Sequence, residues 1–374
     1  MSTLHLLAVS LVFMAAATAQ RTWVVDRQNR PGADFTDLPP AIAAAGAGDA
    51  LFVRGIGAAT PYSASVIGRS LTVVGEDASV RVESALAVRD LPPGQRVVIR
   101  RVASDGAIAV ERCLGPVFLD GVQTTRPVGS SWRITDCALV SLHGCNVFAV
   151  ELVIADSDVL LERCTLLAYY FEHGISLQRA RLVFVESNCE GGPGIPQGNC
   201  QPGGRAGNGL DGTNSRVVVA GDSLLRGGSY VPCTQREWGL AMTGGAVLQD
   251  PRATIEGIDP TRAFAHTIGP VVTLEGQVAN ANLTTRLLAP VGSPSLTVLG
   301  QPAREPFDFP MGTLWLELGG LIVLDAGSIP ANGERLRSLA LPPGLPTATL
   351  FGLQSVVFTG MTAQLSTPSF VLTP

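Results

Sequence analysis

Between residues 80 and 220 one short unit recurs, and that recurrence limits the available folds more than any other feature of the chain. β-Rich runs at 80–82, 97–99, 107–110, 117–119, 132–135, 147–150, 159–161, 182–185 and 217–220 are separated by Gly, Asn, Asp, Ser and Pro, residues that permit turns. Four units end alike: Val110-Glu111-Arg112-Cys113, Ile134-Thr135-Asp136-Cys137, Leu142-His143-Gly144-Cys145 and Leu161-Glu162-Arg163-Cys164. Most intervals between these cysteines match one coil of a parallel β-helix, about 19 to 25 residues. Cys137 and Cys145 are too close for that, so the pattern implies two inward columns of small residues. A β-sandwich also has many short strands, but the recurring Cys endings and the scarcity of hairpin dipeptides argue against one here.

The segment ahead of the repeats supplies a cap. Thr36 or Asp37 suits a helix N-cap, Pro39 and Pro40 its first turn, Ala41-Ile42-Ala43-Ala44-Ala45 its body and Gly46 its end. Gly48-Asp49 then leads into Ala50-Leu51-Phe52-Val53, followed by Tyr62 and by Ser70-Leu71-Thr72-Val73-Val74-Gly75. This order, F-T-x-x-x-x-A-I-x-x-A, G-D-x-x-x-V, Y-x-x-x-V-I and S-L-T-V-V-G, resembles the opening segment of the pectin-lyase-like superfamily of exported bacterial repeat proteins. The resemblance implies a right-handed, single-stranded parallel β-helix with an N-terminal capping helix, which hides the unpaired edge and apolar interior of the first coil. It implies fold, not activity.

From about Ala263 the texture changes. Cys endings stop, Pro is frequent, and longer alternating strands at 295–299, 312–318, 321–325, 336–341, 347–358 and 370–373 are punctuated by Gly300, Gly319-Gly320, Asn332-Gly333 and Gly360. The expected organisation is a signal peptide over 1–19, a β-helix over 20–262 and a small antiparallel β-sandwich over 263–374, all-β apart from the cap. The signal rests on the apolar run 4–17 and the small-x-small pattern Ala17-Thr18-Ala19; the run is too short for a comfortable membrane span, and no later stretch is long enough. The expected location is therefore the exterior or the cell envelope, as a monomer without a transmembrane segment.

Charge excludes one class of partner. The net charge is −5, only 15% of residues are charged, every basic residue is Arg, and no basic run appears. Nucleic-acid binding needs concentrated positive charge, so it is not expected. In an oxidising compartment the seven cysteines can pair. Cys189, Cys200 and Cys233, in or beside Gly/Pro-rich loops, are the disulfide candidates, whereas Cys113, Cys137, Cys145 and Cys164 end apolar segments and read as buried thiols.

Catalytic equipment is sparse. Polysaccharide hydrolases of this fold need adjacent Asp pairs with nearby His, and the chain has no Asp-Asp. Calcium-dependent lyases need clustered carboxylates and a base, while here the acids come singly; Asp156-Ser157-Asp158 is the nearest approach. Four His and no C-x-x-C offer no zinc site. Two stretches remain. Tyr169-Tyr170-Phe171-Glu172-His173 places aromatic faces beside hydroxyl acceptors, which suits sugar, making Tyr169, Tyr170, Glu172 and His173 the carbohydrate candidates. Asn208, Asp211 and Asn214 can offer oxygens to calcium; no other cofactor is expected. The resulting expectation is a non-catalytic β-helical protein for surface structure or glycan adhesion, with a lyase or hydrolase bearing a divergent groove site as the alternative.

Overall fold

The computed structural model describes residues 21–374 except 56, 58, 59, 78, 126–130, 149–150, 195, 198–200, 203–205, 230–235, 280, 344, 346–348 and 374. Two units divide it, Arg21–Gly269 and the segment from Pro270 onward.

The first unit is a parallel β-helix. A strand at Thr22–Val25 pairs in parallel with Ala50–Val53, and that strand pairs with Leu71–Gly75. Between the first two strands sits the helix α1, Leu38–Ala44, so one strand precedes the cap. Asp37 is its N-cap and also ties it to the first coil. One carboxylate oxygen accepts the N–H groups of Leu38 and Ser63, each at 2.9 Å, and the other accepts the Ser63 hydroxyl at 2.6 Å. Leu38, Ala41 and Ile42 are buried beneath it.

Each later coil has three strands, as in Trp132–Thr135, Val140–His143 and Asn146–Phe148. Successive coils stack like on like. One interior column runs Leu71, Val97, Val117, Val140, Val159, Leu182, Val217, Val247 in parallel register. A second runs Ile67, Val88, Val110, Ile134, Ile154, Leu177, Gly212, Met242. A Cβ on Gly212 would lie 2.2 Å from the Met242 sulfur, so the long thioether fills the place that glycine leaves. Outward positions of the first column's sheet, Val98, Phe118, Leu160 and Val183, are buried too, which removes that face as a binding surface.

The recurring Cys endings are the corners of the coil. At the corner between the first and second strands the chain passes through the left-handed region at Asp90, Arg112, Asp136, Asp156, Arg179 and Asn214; at the next it does so at Arg101, Gly121, Gly144, Arg163, Glu186 and Gly221. Left-handed backbone costs a non-glycine residue about 1 kcal/mol. At the first corner, bidentate pairs between stacked residues, Arg112 with Asp90 and Arg179 with Asp156, partly offset that cost. Asp156 and Asp158 therefore flank an inward Ser157 and are not a carboxylate pair.

At several of these corners the next side chain points inward as a small donor, whereas at others it is apolar, as at Leu91, Val102, Val122 and Ala180. Cys137 Sγ donates to the carbonyls of Thr135 and Val110, Cys164 Sγ to those of Glu162 and Leu142, and Ser187 Oγ to those of Val185 and Leu161. Serines add a second bond: Ser157 accepts the Cys137 N–H at 3.0 Å and Ser187 the Cys164 N–H at 2.9 Å. The corner carbonyls already accept a backbone N–H from the neighbouring coil, as Thr135 does from Arg112 and Glu162 from Gly144, so the small donor takes up their second lone pair. As the spacing implied, there are two such columns: Cys113, Cys137 and Ser157 in one, Cys145, Cys164 and Ser187 in the other.

Parallel pairing continues past Ala263, since Ala265–Ile268 still pairs with Leu240–Gln249. The second unit is antiparallel. Thr273–Ala279, Asn282–Leu288 and Glu334–Ala340 form one sheet; Pro294–Gly300 lies between Ile322–Ser328 and Leu350–Thr359 in the other, with Thr362–Leu365 and Ser369–Leu372 beyond. Leu274, Leu283 and Leu287 of the first sheet share one core with Leu299, Phe351, Leu353 and Val371 of the second, as in a β-sandwich.

Candidate functional site

At the third corner, where each coil returns to its first strand, successive coils depart from regularity at the same edge. The segments between Thr165–Leu167 and Ile175–Gln178, between Asn188–Glu190 and Leu210–Ala220, and between Leu224–Arg226 and Leu240–Gln249 all leave the helix there. Glycine makes this possible. Gly192 N–H donates to the Glu172 carbonyl, Gly207 N–H to Gly192 and Gly228 N–H to Gly207, each at 2.8 Å. A Cβ on Gly207 would fall 1.6 Å from the Glu172 carbonyl oxygen. The Gly-rich stretch is thus a backbone ladder in which only glycine fits.

On this edge stand Tyr169, Tyr170 and Phe171, each nearly half exposed at 45–46%. Tyr169 and Tyr170 meet edge to face with centroids 4.7 Å apart, and Phe171 follows at 6.2 Å from Tyr170. Trp238 stands further along, following His173 and Asn208 in one column: Gly174 N–H donates to the Asn208 carbonyl and Gly209 N–H to that of Trp238.

The two sequence candidates turn out to be one site. The Asn208 backbone N–H donates to His173 Nδ1 at 2.9 Å, which puts the proton of the neutral ring on Nε2. That nitrogen lies 3.9 Å from Asp211 Oδ2, which also accepts the Asn208 amide at 2.9 Å and meets Arg262 Nη1 at 2.8 Å. Asn208 and Asp211, two of the three calcium candidates, thus stand side by side, and the cation beside Asp211 is the Arg262 guanidinium. Asn214 is not with the other two, being the left-handed residue of a coil corner. Among the described residues no group of three or more His, Cys, Asp or Glu is arranged to hold a metal.

Next to this cluster are two acids without a cationic partner among the described residues. Ser176, directly beside Asp211 in register, donates its hydroxyl to Glu151. Glu172 Oε2 is buried with no hydrogen-bond partner. Burial, and then the nearby Glu151 charge, push the Glu172 carboxyl above the usual range. Sequence reasoning missed Glu151, Ser176, Arg262 and Trp238. Aligning the coils at their left-handed corners would have found Glu151, since it precedes Leu152 as Gly174 precedes Ile175 and Gly209 precedes Leu210.

Another titratable group, Arg100, Asp120, His143 and Glu162, stands in register along the second strand of the coils. Asp120 meets Arg100 and His143, each at 2.8 Å, so this ladder is satisfied by its own alternation of charge and reads as structural.

Cys189 is corrected. It is a free, buried thiol opposite Leu166 and Leu225 in the interior of the third sheet, with Sγ 3.1 Å from the Gly209 carbonyl. It looked like a loop residue because the glycine ladder starts immediately after its strand. Cys200 and Cys233 lie outside the described residues, as does the apolar run 4–17. No described helix is long and apolar enough to cross a membrane. No protein-family model and no curated protein matches this chain.

Proposed function

We propose that the protein is a glycan-binding β-helix of the cell exterior, and that the aromatic edge at Tyr169, Tyr170 and Phe171 is its sugar-contact surface. The observation that carries this reading is the convergence on one edge of three exposed aromatic rings with His173, Asn208, Asp211, Glu151 and Glu172, groups that exchange hydrogen bonds with hydroxyls. A stacked solenoid presents them on a stiff backbone, which lowers the ordering cost of binding an extended polymer. Glu151 and Glu172 repel uronate carboxylates, so the reading favours neutral or amino sugars over pectin-like acids.

The experiment is retention of the purified chain on cellulose, chitosan and polygalacturonate. Chitosan or cellulose retains it, polygalacturonate does not, and alanine at the exposed Tyr169 and Tyr170 together weakens retention without lowering the melting temperature. Retention unchanged by the double substitution discards the surface.

One observation favours hydrolysis as a second reading. A carboxyl with a raised pKa, Glu172, lies close enough to Glu151 to feel its charge, the division of roles that acid/base catalysis uses. Reducing ends released by the wild type and not by Glu172→Gln support it; no release from any bound polymer removes it.

A further inference from the structure

Cysteine occupies the inward corner positions in a pattern that their hydrogen bonding does not explain. Ser157, Ser187 and Ser223 donate to the same kind of carbonyls, and Ala180, Val102 and Val122 hold inward corner positions with no donor, so the corner does not ask for cysteine. Yet the four corner cysteines fall as two vertical pairs, one in each column, in adjacent coils. Ala138 N–H donates to the Cys113 carbonyl at 2.9 Å and Thr165 N–H to that of Cys145 at 3.0 Å, which fixes each pair in neighbouring coils. All four thiols point into the same interior, each donating to the corner carbonyl of its own coil and to one in the coil before.

We propose that Cys113 with Cys137, and Cys145 with Cys164, are two inter-coil cross-link sites that close to disulfides when a thiol–disulfide oxidant meets the folding chain. Neighbouring strands lie about 4.8 Å apart, inside the 4.4–6.8 Å range of Cα separations that a disulfide spans. Both side chains of a pair leave equivalent corner positions in the same inward direction, so bridging needs rotation about the Cα–Cβ bonds and a small approach of the two Cβ atoms, with no shift of register. All four thiols are buried in the finished helix, so the exchange takes place before the coils close.

The chemistry is ordinary exchange. One thiolate of a pair attacks the oxidant's disulfide and releases one of its sulfurs as a thiol. The second thiolate then attacks the mixed disulfide, forming the inter-coil bond and releasing the other sulfur. The pair loses two protons and two electrons, and the oxidant gains them as two thiols. Cys189 has no such partner above or below, since Leu166 and Leu225 flank it, and it remains a thiol.

The test refolds the full chain with oxidised glutathione or with reductant, alkylates free thiols and maps peptides without reduction. The expected result is linked peptides 113–137 and 145–164 with Cys189 alkylated, and a melting temperature roughly 5–15 °C higher in the oxidised protein. The double variant Cys113→Ser/Cys137→Ser keeps the corner donors, folds, and loses the first linkage with part of the reductant sensitivity. Four alkylatable corner thiols after oxidative refolding, a different set of links, or a melting temperature in the double variant as sensitive to reductant as the wild type would overturn the proposal.

Discussion

Ser187 gives the sharpest check on how the coils are held. It is fully buried, its hydroxyl accepts the Cys164 N–H at 2.9 Å and donates to the Val185 carbonyl at 2.7 Å, and the Leu161 carbonyl lies at 3.4 Å. In Ser187→Ala the Cys164 N–H loses its acceptor in a place water does not reach, which costs about 1–3 kcal/mol, and the donated bond is worth about 1 kcal/mol more. The expected loss is therefore about 2–4 kcal/mol from a hydroxyl with no role in the site. For a unit running from Arg21 to Gly269 the urea m-value is about 3 kcal/mol/M or above, so the midpoint falls by roughly 1 M. Ser187→Cys restores only the donor that Cys145 and Cys164 provide in the same column, so it recovers the roughly 1 kcal/mol of the donated bond and leaves the rest of the loss. Urea unfolding followed by far-UV circular dichroism measures both. A midpoint shift below about 0.2 M in Ser187→Ala, or an equal loss in Ser187→Cys, refutes the idea that the Ser187 hydroxyl ties its coil to the one before.

Two more outcomes follow from the cap and the glycine ladder. Asp26 is fully buried; burial alone would raise its carboxyl, but bonds from Arg30, the Gln28 N–H and Arg54 bring it to about 2. A depressed folded pKa contributes stability that is complete above the unfolded value near 3.9 and is lost as pH falls toward about 2. With Arg30 42% exposed, screening leaves about 1 kcal/mol of this term, and Asp26→Asn should flatten the acid limb of melting temperature against pH; an unchanged limb contradicts it. Gly207→Ala drives a methyl into the Glu172 carbonyl and should cost about 3 kcal/mol or more while weakening glycan retention, whereas a neutral result would mean the ladder is not rigid.

What the sequence determined by itself is whatever repeats. Stacking places equivalent residues above one another, so the Cys endings, the turn residues before them and the apolar runs announce the coil, and the spacing of Cys137 and Cys145 announces two columns. The cap was legible for the same local reason, because Asp37, two prolines and an Ala-rich run fix a short helix without distant partners.

What only the tertiary structure decided is which residues from different coils share an edge. His173 and Asn208 belong to separate loops in sequence and meet because Gly192 and Gly207 allow the intervening backbone to stack. Arg262, far along the chain, reaches Asp211 and makes it half of an ion pair. Glu151 reaches the site through the coil register, which places it level with Gly174, and through the Ser176 hydroxyl that it accepts. Cys189 sits inside rather than in a loop because its strand, too short to show alternation, takes its facing from the coils on either side. Periodicity is a local property of the chain and can be read directly; convergence depends on how the irregular excursions close, and those carry no repeat.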